Sequence, residues 1–155
     1  MKSRKLCRIL LLALAAATLL FIWSNSLKSM EQSQEQSHEL LDTLAPIIES
    51  VTGMEVDAED DRLLRKAAHV FEFAILGLEL SLLTRERLRL RAQGVVNCLF
   101  AGLLTAVVDE SIQLISQRGS QLQDVLLDFA ALSLSVCLVW AVRRIRQGRR
   151  LRAYN

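Results

Sequence analysis

Residues 107–128 read VVDESIQLISQRGSQLQDVLLD. An apolar run ends in Asp109, Glu110 and Gln113, a short polar link carries Arg118, and a second apolar run opens with Asp124 and Asp128. Acids beside a membrane-length apolar run are expensive to bury, so they mark a functional site by default. Helical spacing sorts them. Asp109 and Gln113 are four apart and share a face, as do Asp124 and Asp128. Glu110 is turned about 100° from Asp109, so both acids need not point inward. The rest of the chain decides whether other polar groups reach the same place.

Upstream, residues 6–23 form an apolar run behind Lys2, Arg4, Lys5 and Arg8. A cleaved signal peptide is the competing reading, with the alanines at 15–17 as the cleavage mimic. LLFIW continues the run past them, so a membrane helix is expected, just long enough to span if Arg8 snorkels. Residues 24–62 are polar and hold ten of the chain's 17 acids. Within them Leu40, Leu41, Leu44, Ile47, Ile48 and Val51 fall on one helical face, Gly53 is a stop, and Pro46 is expected to kink or split the element. This external amphipathic segment suits a membrane surface or the side of a bundle. A solvated connector is the plain alternative. His38 receives no role.

Residues 63–83 are the second run, opening with Arg65, Lys66, His69 and Glu72, spaced three or four apart on one face. Glu79 lies deeper, as a gate, a packing residue or a snorkelling acid. Residues 84–91, TRERLRLR, are a basic link. The third run, 92–115, contains Gly102 and Ala106, spaced for close helix contact. The fourth is 124–142, followed by RRIRQGRRLRAYN.

The 155 residues are 52% apolar and 5% aromatic, with the polar residues in blocks between apolar runs. That is the pattern of one all-α membrane domain over residues 1–155, with four transmembrane helices at about 6–23, 63–83, 92–115 and 124–142. Cys7, Cys98 and Cys137 sit in apolar runs without a CxxC or Cys/His spacing and read as small apolar fillers. There is no Gly-rich phosphate loop and no fixed-period repeat.

Charge then orients the runs. Fourteen of 19 basic residues lie in the N-terminus, the 84–91 link and the tail. These three segments share one side of a four-helix topology, which the positive-inside rule assigns to the cytoplasm along with both termini. Three helices thereby bring their polar turns to one depth on the outer side. The Arg-rich tail is a topology signal that meets anionic lipid, and no nucleic-acid partner is expected.

His69, Glu72, Asp109, Glu110, Gln113, Arg118, Asp124 and Asp128 are then candidates to line one pocket. A His beside carboxylates supplies a general base and its orienting partner. Arg65, Lys66 and Arg118 suit a phosphate or carboxylate of a headgroup. The His and carboxylates also suit a divalent cation, though the spacing names no metal and no cofactor. Two readings stay open beside an enzyme pocket: a binding pocket, and a buried ion-pair network that fixes helix packing.

Three segments carry a family resemblance: FIWSNS at 21–26, RKAAHVFEFAILG at 65–77, and the stretch at 107–128. In this order they resemble the aromatic-then-Ser, RK-x-x-H-x-x-E-[YF] and DE-x-x-Q…R…D-x-x-x-D motifs of the VanZ-like family of bacterial membrane proteins. Phe73 stands where Tyr is common, SQ precedes Arg118 where a Pro-Gly-like turn is frequent, and Ala130, Ala131 and Ser133 replace the usual glycines. The resemblance implies a multi-pass protein of the bacterial cytoplasmic membrane. The family's founding member is linked to low-level teicoplanin resistance. A kinship proposed for the family, with membrane enzymes acting on lipid headgroups, implies that His69, Asp109, Glu110 and Gln113 are catalytic. Arg65, Lys66, Glu72, Arg118, Asp124 and Asp128 would then hold a lipid or lipid-linked envelope substrate. Of these reactive positions, His69 would be the base, Asp109 or Glu110 its partner, and Arg118 the anion clamp.

Overall fold

The computed structural model of the chain describes residues 2–53, 60–84, 91–117 and 121–152. Its five elements are all α-helices: α1 (Lys2–Ser26), α2 (Met30–Thr52), α3 (Asp60–Leu83), α4 (Arg91–Ile115) and α5 (Leu122–Arg152). No strand occurs among the described residues. The helices overrun the apolar runs at most of their ends, because polar residues extend a helix as readily as apolar ones once it is nucleated.

Three of the helices are long and apolar enough to cross a membrane: residues 5–26, 92–115 and 122–149. α3 is not among them, since Lys66, Glu72 and Glu79 are spread along it. It is nevertheless the centre of the bundle. It packs most extensively on α5 and touches α1, α2 and α4 as well. Two of its carboxylates each accept one hydrogen bond from α1: Thr18 Oγ1 donates to Glu79 Oε1 at 3.0 Å, and Asn25 Nδ2 to Glu72 Oε1 at 3.1 Å. Glu79 is therefore a buried packing residue and does not snorkel to either end.

The burial pattern is that of a protein turned inside out. Leu6, Ile9, Leu20, Phe100, Leu134 and Leu138 are exposed, while Glu79, Asp109, Glu110, Gln113 and Asp128 are buried. Water tolerates scattered exposed apolar residues but not whole apolar helix faces, whereas lipid favours them. The apolar centre is small: Ile22, Phe73, Leu76, Cys98, Ala106, Leu132 and Val136. Cys98 fills it as expected. Cys7 and Cys137 do not, and lie on the outward surface.

α3, α4 and α5 lock together around Leu132. A Cβ on Gly77 would lie 2.6 Å from the Leu132 carbonyl oxygen, and one on Gly102 would strike the Leu132 side chain. Gly102 with Ala106 thus forms the close contact its spacing suggested. At Gly77 the obstacle is backbone, which cannot rotate away. Gly77→Val is expected to cost about 3 kcal/mol, the upper end of overpacking penalties. Thermal unfolding in detergent should show it, with Gly94→Val as the milder comparison, since a Cβ there meets only the Thr84 side chain at 3.5 Å.

The helix ends sort into two groups. Arg143 of α5 donates to Thr84 Oγ1, just past α3, at 3.2 Å, and Gly94 near the start of α4 faces the same threonine. At the opposite end Ser116, just past α4, donates to the carbonyl of Ser26, the last residue of α1, at 2.9 Å. That bond satisfies one of the carbonyls a helix C-terminus leaves open. The ends of α1 and α4 and the starts of α3 and α5 thus share one end of the bundle.

α2 begins at a capping box, in which Ser29 and Gln32 bond each other's backbone, and ends at Gly53 in the left-handed region, φ 69°. Gly53 is the stop the sequence suggested. Pro46 does not split α2: the helix runs through it. Pro46 is exposed, so the helix gives up the bond its N–H would have made where solvent or headgroups can replace it. Only part of the apolar stripe packs. Ser33, Ser37 and Leu41 are the buried residues, Leu44 and Ile48 are half-buried, and Leu40, Ile47 and Val51 are exposed. The three buried residues are spaced by four, and α2 packs chiefly on α3.

Candidate functional site

Asp109 is the hub of the shared end. It is fully buried near the end of α4. Ser26 Oγ, the last residue of α1, donates to Asp109 Oδ1 at 2.6 Å. Gln113, one turn along α4, donates from Nε2 to Oδ2 at 2.8 Å. Bonds of this kind make a buried carboxylate affordable, since an isolated one is not.

His69 arrives from α3 with its side chain 16% exposed, and its Nδ1 is 3.8 Å from Asp109 Oδ2. That separation is too long for a direct hydrogen bond. Asp128 arrives from the second turn of α5 and is 2% exposed. One atom each from His69, Asp109 and Asp128 lie within 4.8 Å of one another. Residues 59 positions apart in sequence are thus brought to ligand distance. Asp109, Glu110, Asp124 and Glu72 all act on Asp128 as like charges.

Glu110 is also buried, on a different side of α4. Its Oε2 accepts from the backbone N–H of Gln121, just before α5, at 3.2 Å. The turn of about 100° between the two acids therefore sends Asp109 toward α1 and α3 and Glu110 toward the start of α5. Lys66 and Asp124 pair at 2.6 Å across α3 and α5, each partly exposed.

A cavity of about 290 Å³ lies against this group. Its walls include His69, Glu110, Gln113 and Asp128, with Arg62, Arg65, Lys66 and Asp124 also on its lining. Asp109 is not on the lining; it sits behind His69. A second cavity of about 480 Å³ lies between the end of α1, the first half of α2 and α3. It shares His69 and Arg65 with the first and adds Asn25, Lys28, Ser37 and Glu72. Arg65 Nη1 reaches Ser37 Oγ at 3.4 Å, so α2 closes over that side.

Of the expected residues, His69, Asp109, Glu110, Gln113, Arg65, Lys66, Asp124 and Asp128 come together around the smaller cavity. Glu72 faces the larger one. Arg118 lies outside the described residues. Sequence reasoning missed Ser26, Asn25 and Lys28 at the end of α1, and Arg62 and Gln121 on the cavity wall. Lys28 bonds both Asn25 and Gln36, at 2.8 and 2.9 Å, which ties α1 to α2. The signal was available in SNS at 24–26: these polar residues close the first apolar run, and the end of α1 meets the end of α4 through Ser26.

Apolar helices around a carboxylate-rich polar end define a multi-pass helical membrane protein with a buried polar site. Residues 8–143 match the model of the VanZ/LLP1 family, and the chain belongs to that family. No curated protein and no solved structure matches it.

Proposed function

We propose that the chain takes the polar head of a lipid or lipid-linked cell-envelope molecule into the cavity beside His69 and chemically modifies it as a hydrolase or transferase. One observation carries this reading: His69, Asp109 and Asp128 converge from three helices, and His69 and Asp128 line a cavity together with Arg62, Arg65 and Lys66. The basic residues hold a phosphate or carboxylate of the head; the same anion-clamp role is proposed for Arg118, which lies outside the described residues. His69 takes the proton of the attacking water or hydroxyl, and Asp109 behind it orients the ring. Glu110, buried on the same cavity, is the second acid/base, and Gln113 holds Asp109.

The membrane arrangement belongs to the same proposal. α3 is the fourth span, its charges met by the helices around it. α2 is the external amphipathic segment, its exposed Leu40, Ile47 and Val51 resting on lipid at the outer leaflet. Both termini are in the cytoplasm of a bacterial cell, and the cavity faces outward.

The test is turnover by the purified full-length chain in vesicles holding radiolabelled lipid-linked envelope precursors. Turnover by the wild type and its loss in Asp109→Asn is the expected result. A binder that only changes access to the cell surface would show no turnover, yet would retain precursor or teicoplanin in Asp109→Glu as in the wild type. Wild type and variants alike in turnover, envelope lipid composition and teicoplanin sensitivity would sink the proposal.

A further inference from the structure

We infer that His69, Asp109 and Asp128 form a binding site for one divalent transition-metal cation. The inference needs only the geometry of these three residues, and it changes one role in the reaction proposed above: with the ion bound, the His69 lone pair is engaged as a ligand, and Glu110 on the same cavity takes the proton instead.

Their donor atoms lie within 4.8 Å of one another, and His69 Nδ1 is 3.8 Å from Asp109 Oδ2. Neighbouring ligands of a tetrahedral ion with bonds of about 2.0–2.2 Å sit roughly 3.3–3.6 Å apart, so side-chain movements of about 1 Å gather these atoms on one ion. They come from three helices, so the helix packing itself sets the site. Asp109 already has a supporting partner on each oxygen, Ser26 Oγ at 2.6 Å and Gln113 Nε2 at 2.8 Å. Such partners orient a ligand and hold it ready.

Asp128 is the independent observation. It is 2% exposed, lines the 290 Å³ cavity, and has no hydrogen-bond or ion-pair partner among the described residues. Lys66, on the lining of the same cavity, is engaged by Asp124 at 2.6 Å. Asp128 is instead crowded by the acids Asp109, Glu110, Asp124 and Glu72. A buried carboxylate without a counter-charge is one of the costliest arrangements a protein can hold. A dication between Asp128 and Asp109 removes that cost, and His69 completes the set. One imidazole nitrogen with two carboxylate oxygens favours zinc or manganese over calcium or magnesium. The cavity side is left open for water or a substrate oxygen, as catalytic metal sites require.

The test uses the full chain in detergent, stripped with EDTA and titrated with Mn²⁺ or Zn²⁺. Free Mn²⁺ is followed by its paramagnetic resonance signal, and unfolding by thermal melting. The expected result is one saturable site per chain and a higher melting midpoint with metal. Asp128→Asn should weaken binding by roughly 10–100-fold or more while melting no lower than wild type without metal, because it removes a repelled charge. His69→Gln should weaken binding as well. Asp124→Asn should change it far less. Absence of saturable binding by the wild type, or equal binding by the wild type and Asp128→Asn, overturns the inference; the carboxylates then share a proton instead. Metal binding without turnover would leave this inference standing and count against the proposed reaction alone.

Discussion

Replacing His69 by alanine is expected to lower turnover of a lipid-linked substrate by roughly 10²–10⁴-fold, the usual contribution of a positioned general base. The effect on folding should be much smaller. The imidazole is partly exposed on the cavity wall, so its removal enlarges an existing space rather than opening a void in the packed centre around Phe73 and Leu132. His69→Gln separates the two roles the residue can play. Glutamine restores volume and a polar tip but accepts no proton at neutral pH. A proton-transfer role predicts that it fails as badly as alanine. A purely binding pocket predicts that it recovers most of the function. Single-turnover rates at saturating substrate, with thermal midpoints alongside, distinguish these outcomes.

The second large effect is on stability. Asp109→Ala removes the acceptor of two buried donors, Ser26 Oγ and Gln113 Nε2. Each stranded donor costs about 1–3 kcal/mol, so a loss of about 4 kcal/mol is expected. The end of α1 should loosen with it, because Ser26 is its last residue and is tied to this hub. Hydrogen exchange at residues 22–26 reports that loosening directly. Asp109→Asn should behave differently. Its carbonyl can accept from Gln113 while its amide donates to the Ser26 hydroxyl, which accepts as readily as it donates. It should therefore lie within about 1 kcal/mol of wild type in stability, since the hydrogen bonds are exchanged rather than lost. That is why it is the variant of choice for turnover. An Asp109→Ala chain as stable as wild type would show that Ser26 and Gln113 find other partners, and the hub would have to be redrawn.

Much of the site was legible because membranes make polarity local. A lone acid in an apolar run stands out at any rotation, and counting basic links assigns each helix end a side. This is how His69, Asp109, Glu110 and Asp128 were placed at one depth before any fold was known. The same reasoning passed over Ser26 and Asn25, since serine and asparagine at a helix end are ordinary when only charged residues are being counted. It also allowed Pro46 to split α2, and the helix runs through it. Pro46 is exposed, where the lost backbone hydrogen bond costs least.

α2 shows the other limit. Its stripe of Leu40, Leu41, Leu44, Ile47, Ile48 and Val51 is a genuine helical periodicity, yet the stripe divides: Leu41 is buried beside Ser33 and Ser37, with Leu44 and Ile48 half-buried, while Leu40, Ile47 and Val51 are exposed. Periodicity finds the face that avoids water. It does not say whether protein or lipid covers that face, because either satisfies it.

The sequence by itself determined the class of the molecule, its family motifs and the common depth of its polar turns. Hydropathy, helix length and charge asymmetry act residue by residue and need no tertiary contact. Only the tertiary structure decided which polar groups meet. A helix that is apolar nearly all round carries no record of its own rotation, and that rotation is set where Gly77 and Gly102 let α3 and α4 close on Leu132. With it fixed, Asp109 turns toward Ser26 and His69, Glu110 turns toward the start of α5, and Asp128 comes within 4.8 Å of a histidine on another helix.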